Sequence, residues 1–281
     1  MKAIVVLTPT ESKRLIAEAV FQIPVVQNAL KNGVLAIHPS SSTVFLYERI
    51  LQEVPKGRWV CGVVGEKGLC GSMEAVAMIR GRGPGAHDPR KVSRETWVFV
   101  RGELQDQMPL GDILDMLGEE DVYVKGVNAL DSRGNVGVLF SNPAGGGGTI
   151  GKVMAARRKK PFHVVFPVGL EKLIPGTIAE ASRAVGFQKA NLCMGIPAAL
   201  LPVSGEKVDE TDAFRLLFHV NASAISCGGL GGANGAVTLV LEGEEDAVQA
   251  AFAFACSVKG SQLPALSVPQ EEGPYYPKFS L

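Results

Sequence analysis

Residues Asp121 to Lys152 read DVYVKGVNALDSRGNVGVLFSNPAGGGGTIGK. The apolar start predicts a strand, KGVNALDSRGN a polar loop, and VGVLF a second strand. The glycines Gly145, Gly146, Gly147 and Gly148 then open a helix at Thr149. A glycine run between a strand and a helix lets the backbone approach a ligand and aims N–H groups at an anion. The stretch therefore predicts a binding crevice in an α/β protein, and it names no reaction.

Upstream, Thr8-Pro9-Thr10-Glu11 has the form of a capping box with proline at the first helical position. The helix SKRLIAEAVFQ follows, Pro24 breaks it, and VVQNALKNG runs to a stop at Gly33. VLAI is a short buried strand, the polar turn from His38 to Thr43 comes next, and VFLYERILQEV is a helix. WVCGVV and WVFVRG are read as strands flanking a loop rich in glycine and charge, and LGDILDML as a helix. Downstream, TIGKVMAARRK reads as a helix and FHVVFPVGL as a strand. Strands alternating with helices predict a three-layer, mostly parallel sheet over residues 1–195.

The pattern changes near Met194. IPAALLPVSGE reads as an edge strand or a linker. The helix DETDAFRLLFHV, the strands ASAISCGGL and GAVTLVLEG, and the helix EEDAVQAAFAFACSVKG predict a small α+β domain, ferredoxin-like in kind, over residues 196–262. The segment from Gly228 to Gly235 joins two strands, which favours a hairpin or interface turn over a nucleotide loop. Residues 263–281 carry four prolines and no period, so they read as an extended tail.

Composition narrows the function classes. Of 281 residues, 28 are Lys or Arg and 28 are Asp or Glu. A net charge of zero argues against a nucleic-acid partner. The one basic run, Arg157 to Lys160, reads as a solvated helix end. The opening MKAIVVL is too short for a signal peptide, and no apolar stretch is long enough to span a bilayer, so no membrane partner is expected. The five cysteines are odd in number and widely spread, which points to reduced thiols and a cytoplasmic location. No histidine pair has metal-ligand spacing and no G-x-S-x-G elbow is present, so neither a metal site nor that type of hydrolase is expected.

Three segments between Asn28 and Lys172 carry a resemblance to the superfamily of ribose-5-phosphate isomerase, glucosamine-6-phosphate deaminase and CoA transferases. VLAIHPSSSTVFLYERI is similar to its strand–turn–helix, whose small and hydroxyl residues hold a phosphate. YVKGVNALDSRGN resembles the isomerase's acidic loop, and AGGGGTIGK its lysine-plus-glycines segment. The resemblance implies a diverged member of that superfamily and its α/β fold. The departures are chemical: Lys125, Gly126, Val127, Asn128 and Ala129 stand where the isomerase has carboxylates, and Ala144 stands where it has lysine. Without those groups no pentose-phosphate isomerase activity is expected. A CoA-transferase glutamate has only Glu66 and Glu272 as candidates, each in a poor context.

The expected crevice is lined by Ser40, Ser41, Ser42 and Thr43, by Lys125, Asn128 and Asp131, and by Gly145 to Thr149. The hydroxyls either bind an anion or cap the next helix. Lys125 either binds a ligand or pairs with Asp131, and Asp131 either binds a ribose hydroxyl or forms a turn. His38, at a strand end, is paired with Lys125 as the acid/base candidate, while a structural role remains open for it. His163 and His219 lie in apolar runs and are expected in the core or at an edge. The expected ligand is a small anionic metabolite: a sugar phosphate, a nucleotide or a CoA-type compound. No cofactor is identified. The competing expectation is a non-catalytic regulatory or assembly protein acting through its apolar small domain, which is compatible with a homodimer.

Overall fold

The computed structural model describes residues 1–55, 59–66, 68–71, 96–105, 108–141, 147–186, 192–195 and 197–266. In chain order the strands are β1 (Lys2–Leu7), β2 (Val34–Ile37), β3 (Gly62–Gly65), β4 (Gly68–Gly71), β5 (Trp97–Val100), β6 (Glu103–Gln105) and β7 (Val122–Val124). They continue as β8 (Ala129–Leu130), β9 (Val136–Phe140), β10 (His163–Pro167), β11 (Ala199–Val203), β12 (Glu206–Val208), β13 (Asn221–Cys227) and β14 (Val237–Glu242). The helices are α1 (Pro9–Gln22), α2 (Pro24–Asn32), α3 (Val44–Leu51), α4 (Leu110–Met116), α5 (Gly148–Lys159), α6 (Ile178–Val185), α7 (Glu210–Phe218) and α8 (Glu245–Ser257). Among the described residues no helix is long and apolar enough to cross a membrane.

Local chemistry sets the helix ends. Thr8 accepts from the Glu11 amide, and the Glu11 carboxylate takes the Thr8 amide at 2.8 Å, so the capping box is formed as the sequence implies. Pro24 begins α2, and Gly33 ends it. At the end of α5 the basic residues reach carbonyls of neighbouring segments: Arg157 donates to Phe162 O and Ser204 O, and Lys160 to Asp115 O.

The main sheet has six strands in the order β12-β10-β7-β2-β5-β6. The pairs β12–β10, β10–β7 and β7–β2 are parallel, whereas β2–β5 and β5–β6 are antiparallel. The protein is thus α/β with a mixed sheet. The expected mostly parallel sheet is corrected at β5 and β6: β5 runs antiparallel to β2, and the tight turn at Arg101-Gly102 reverses the chain so that β6 pairs antiparallel with β5.

Side chains alternate across this sheet and divide the core. Leu35, Ile37, Val122, Val124 and Val165 point to one side, against Ile16 and Val20 of α1, Phe45 of α3 and Phe214 of α7. Ala36, Tyr123, Val164 and Phe166 point to the other, against Ile113 of α4 and Ile150 and Val153 of α5. Each such buried aliphatic or aromatic side chain contributes about 1.5–3 kcal/mol. The Asp121 carboxylate ties the sheet's base together by accepting from the Val34 and Gly118 amides, both at 2.7 Å.

Two strands depart from their expected partners. VGVLF, now β9, leaves the main sheet and pairs antiparallel with β8 and with β11, the segment read as an edge strand or linker. The β8–β9 connection is a tight reversal at Asp131-Gly134, and a reversal of that kind makes a hairpin, not a parallel crossover. WVCGVV contributes only β3, which pairs with β4 in a two-stranded hairpin; its glycines supply no side chains to bury in a central sheet.

The α-β-β-α order of the carboxyl-terminal part is present as α7, β13, β14 and α8. Its sheet has a third strand from the chain's start: β1 pairs antiparallel with β14 over six residues, giving the order β1-β14-β13. Val5 and Leu7 of β1 turn inward beside Leu239 and Leu241, and this layer shares one continuous core with α1, α7 and α8. Helices α1 and α7 therefore pack between the two sheets.

Candidate functional site

Strands β2, β7, β10 and β12 run parallel, so the four segments that follow them emerge at one edge. These are His38–Thr43, Lys125–Asn128, Gly169–Lys172 and Asp209–Glu210. Crevices outside the carboxyl ends of such strands are where open α/β sheets bind ligands.

The first segment is built from hydroxyls. Thr43 Oγ1 donates to His38 O at 2.7 Å and lies 3.0 Å from Ser40 Oγ, and the Ser42 amide donates to Ser40 Oγ. Ser40 and Thr43 thus shape the turn into α3, while the Ser42 hydroxyl is directed elsewhere. Ser41 is half-buried. Across the gap stands Gly126. A Cβ there would come within 2.7 Å of Ser40 Oγ and 3.2 Å of Ser42 Cβ, so only glycine allows this approach.

Lys172, in the short 3-10 turn after β10, joins the segments. Its Nζ donates to Val127 O at 2.8 Å and lies 3.0 Å from Ser42 Oγ. The residue is half-buried, its amine being the enclosed end. Burial pushes the ammonium down from 10.5 to about 8; the Lys13 cation lowers it as well, and Glu171 and Glu210 partly oppose both. Lys13 is itself buried and paired with Glu171 at 2.8 Å. Glu210, the first residue of α7, is buried and accepts the Leu170 amide. Burial raises its carboxyl to about 7 against the lowering effect of bonds from Ser12 and the Leu170 amide. Ser12, Lys13, Glu171, Lys172 and Glu210 were not legible as site residues. They come from three separate segments, and PVGLEK shows only an ordinary charged end to a strand.

His38 and Lys125 are buried and follow the paired strands β2 and β7 directly, which makes them neighbours across the parallel ladder. Their amides join the sheet, His38 to Val124 O and Lys125 to Val165 O. Asn128 and Asp131 brace the fold. Asn128 Oδ1 accepts from the Leu139 amide at 2.9 Å. The Asp131 carboxylate accepts from the amides of Arg133, Asn135 and Ile178 and from Asn135 Nδ2. Burial acts to raise its carboxyl, yet these bonds hold it at about 2. The turn-forming alternative for Asp131 is therefore realised, since its acceptor sites are filled by its own loop and by α6.

Gly147 caps α5 with φ 87°, and a Cβ there would meet Gly151 Cα at 3.2 Å and Leu201 at 3.5 Å. Gly147, Gly148 and Thr149 therefore sit where α5 meets β9 and β11, outside the main sheet. Gly145 and Gly146 lie outside the described residues, as does Glu272; Glu66 is exposed in the β3–β4 hairpin. His163 and His219, expected in the core or at an edge, are both exposed, His163 at a strand end and His219 as the cap of α7. Among the described residues no group of three or more His, Cys, Asp and Glu is arranged to hold a metal ion.

A groove of about 280 Å³ lies between α1 and α3, lined by Arg14, Glu18, Phe45, Glu48, Arg49 and Glu53. Four of its charges form ion pairs, Arg14 with Glu48 at 3.0 Å and Arg49 with Glu18 at 2.7 Å. The lowered amine of Lys172 lies elsewhere, among the buried strand-end segments. No family model, curated protein or solved structure matches the chain.

Proposed function

We propose that the protein binds a small anionic metabolite at the carboxyl edge of the parallel strands, as a binding protein or a diverged enzyme. The observation that carries this reading is the convergence of three strand-end segments on one amine: Lys172 Nζ meets Ser42 Oγ after β2 and Val127 O after β7. Lys13 adds a second buried ammonium beside it. Hydroxyls and partly desolvated amines at strand ends suit a phosphate or carboxylate better than a neutral ligand. His38 and Lys125, buried at the ends of the neighbouring strands β2 and β7, are the acid/base candidates.

The same reading assigns the chain to the superfamily of ribose-5-phosphate isomerase, glucosamine-6-phosphate deaminase and CoA transferases, with a three-layer fold, as a member lacking the isomerase carboxylates. It is supported by the hydroxyl turn between β2 and α3 and by helices packed on both faces of the sheet. The test is a thermal-shift screen against sugar phosphates, nucleotides, CoA esters and inorganic phosphate. One class is expected to raise the melting temperature by several degrees through mass action. Failure of every class to shift it would refute the reading.

A second reading, assembly through the carboxyl-terminal layer, is favoured by one observation. Ile4 and Val6 on β1, Ile225 on β13 and Leu230 in the connecting turn are exposed. Sedimentation at micromolar concentration tests it: a dimer that dissociates on Ile225→Lys supports assembly.

A further inference from the structure

We propose that Ser42 is a nucleophile and Lys172 its general base, and that the pair transfers an acyl group from an anionic acyl donor to water. The inference rests on the anion-binding reading above and specifies its ligand as a carboxylic ester, thioester or acyl phosphate carrying negative charge.

The geometry has the three parts an activated serine requires. Nucleophile and base are within hydrogen-bond reach, Ser42 Oγ to Lys172 Nζ at 3.0 Å. The base is oriented by a third group: Nζ donates to Val127 O at 2.8 Å, and when the amine loses the proton it directs at Ser42 Oγ its lone pair faces the serine hydroxyl. The serine lies on a strand-to-helix turn at the carboxyl edge of the sheet; it is buried, and the backbone of Gly126 packs closely against it, so a reagent reaches Oγ only as this turn opens.

A lysine serves as base only when neutral, and its surroundings decide that. The groups that influence it are Lys13 from α1, Glu171 from its own turn and Glu210 from α7. Burial and Lys13 outweigh the two carboxyls and bring the amine to about 8, so a substantial minority is neutral at physiological pH. An ordinary surface lysine, near 10.4, would hold its proton.

In the first step neutral Lys172 takes the Ser42 hydroxyl proton as Oγ forms a bond to the acyl carbon. The carbonyl π pair moves to oxygen, and the ammonium just formed stands beside that oxyanion. Collapse breaks the bond to the leaving group, which departs with the proton from Lys172. Water then attacks the Ser42 ester and gives its proton to Lys172. Oγ leaves as the carboxylic acid is released and recovers the proton, which restores both residues.

A fluorophosphonate, which forms an O–P bond to an activated serine and expels fluoride, tests this on the full chain by intact mass and peptide mapping. The expected result is a single adduct on Ser42, with a labelling rate that rises with pH about a midpoint near 8. Ser42→Ala should abolish the adduct. Lys172→Met should slow it by about 100-fold or more, within the usual range for loss of a general base. Lys172→Arg, which keeps the positive charge and cannot act as a base, should fail in the same way, and circular dichroism verifies that each variant is folded. No adduct on the folded wild-type chain, or equal labelling of the Lys172 variants, would overturn the proposal. Anion-induced thermal shifts retained by Ser42→Ala alongside an unlabelled wild type would leave binding intact and remove only the acyl transfer. Labelling of Ser42 without any anion-induced shift would do the reverse.

Discussion

Replacing Lys172 with methionine should make the protein more stable at pH 7, although the residue makes two hydrogen bonds. The unfolded chain holds the lysine proton up to 10.5, and the folded chain releases it near 8. Between those values the unfolded state binds more protons, so stability rises with pH there, and below 8 the folded state carries the full cost of the buried charge. A pKa lowered from 10.5 to about 8 corresponds to about 3 kcal/mol at pH 7. Methionine fills a similar volume without charge but leaves Val127 O and Ser42 Oγ short of a donor, a loss of roughly 1–2 kcal/mol. The net gain at pH 7 is about 1–2 kcal/mol, which for a chain of this size is about 2–6 °C in melting temperature. At pH 10 the wild-type amine is neutral in the folded state, the remaining charge penalty is under about 1 kcal/mol, and the lost hydrogen bonds should make the variant equal or less stable. Urea unfolding of both proteins at pH 7 and pH 10 reads this reversal. A variant less stable at pH 7, or a difference independent of pH, would refute the argument that Lys172 is held against its preferred charge.

Two further outcomes are expected. Gly126→Ala places a Cβ 2.7 Å from Ser40 Oγ, so it should cost about 1–3 kcal/mol by overpacking, visible in urea unfolding, and should weaken anion-induced thermal shifts because Ser40 and Ser42 must move. Asp131→Asn should cost about 2–4 kcal/mol at pH 7, because three backbone amides lose a charged acceptor. The Asp131 contribution is present above 3.8 and lost as pH falls through about 2, so the gap between wild type and variant should narrow over that interval, as urea titrations at several acidic pH values would show.

Local signals in the sequence specify local structure. Thr8, Pro9 and Glu11 start α1 because their bonds close within three residues, and Pro24 separates α1 from α2 because it supplies no N–H to continue the helix. The helices α7 and α8, with acids at their amino ends, and the hairpin of β13 and β14 were legible for the same reason. The polar turn after β2 and the helix that follows it were legible, though not which of its hydroxyls would meet Lys172.

Tertiary structure decided everything that joins distant segments. A six-residue apolar run such as β1 carries no mark of its partner, and it finds β14 at the far end of the chain because Val5 and Leu7 complete that core. VGVLF reads equally well as a central strand, and only the reversal at Asp131 and the edge offered by β11 send it to another sheet. Lys172 and Ser42 are 130 residues apart, and neither position announces the other. Charge state shows the limit most clearly. A sequence gives a lysine its ordinary proton affinity, and only the surrounding fold, through burial and the neighbouring Lys13, lowers it.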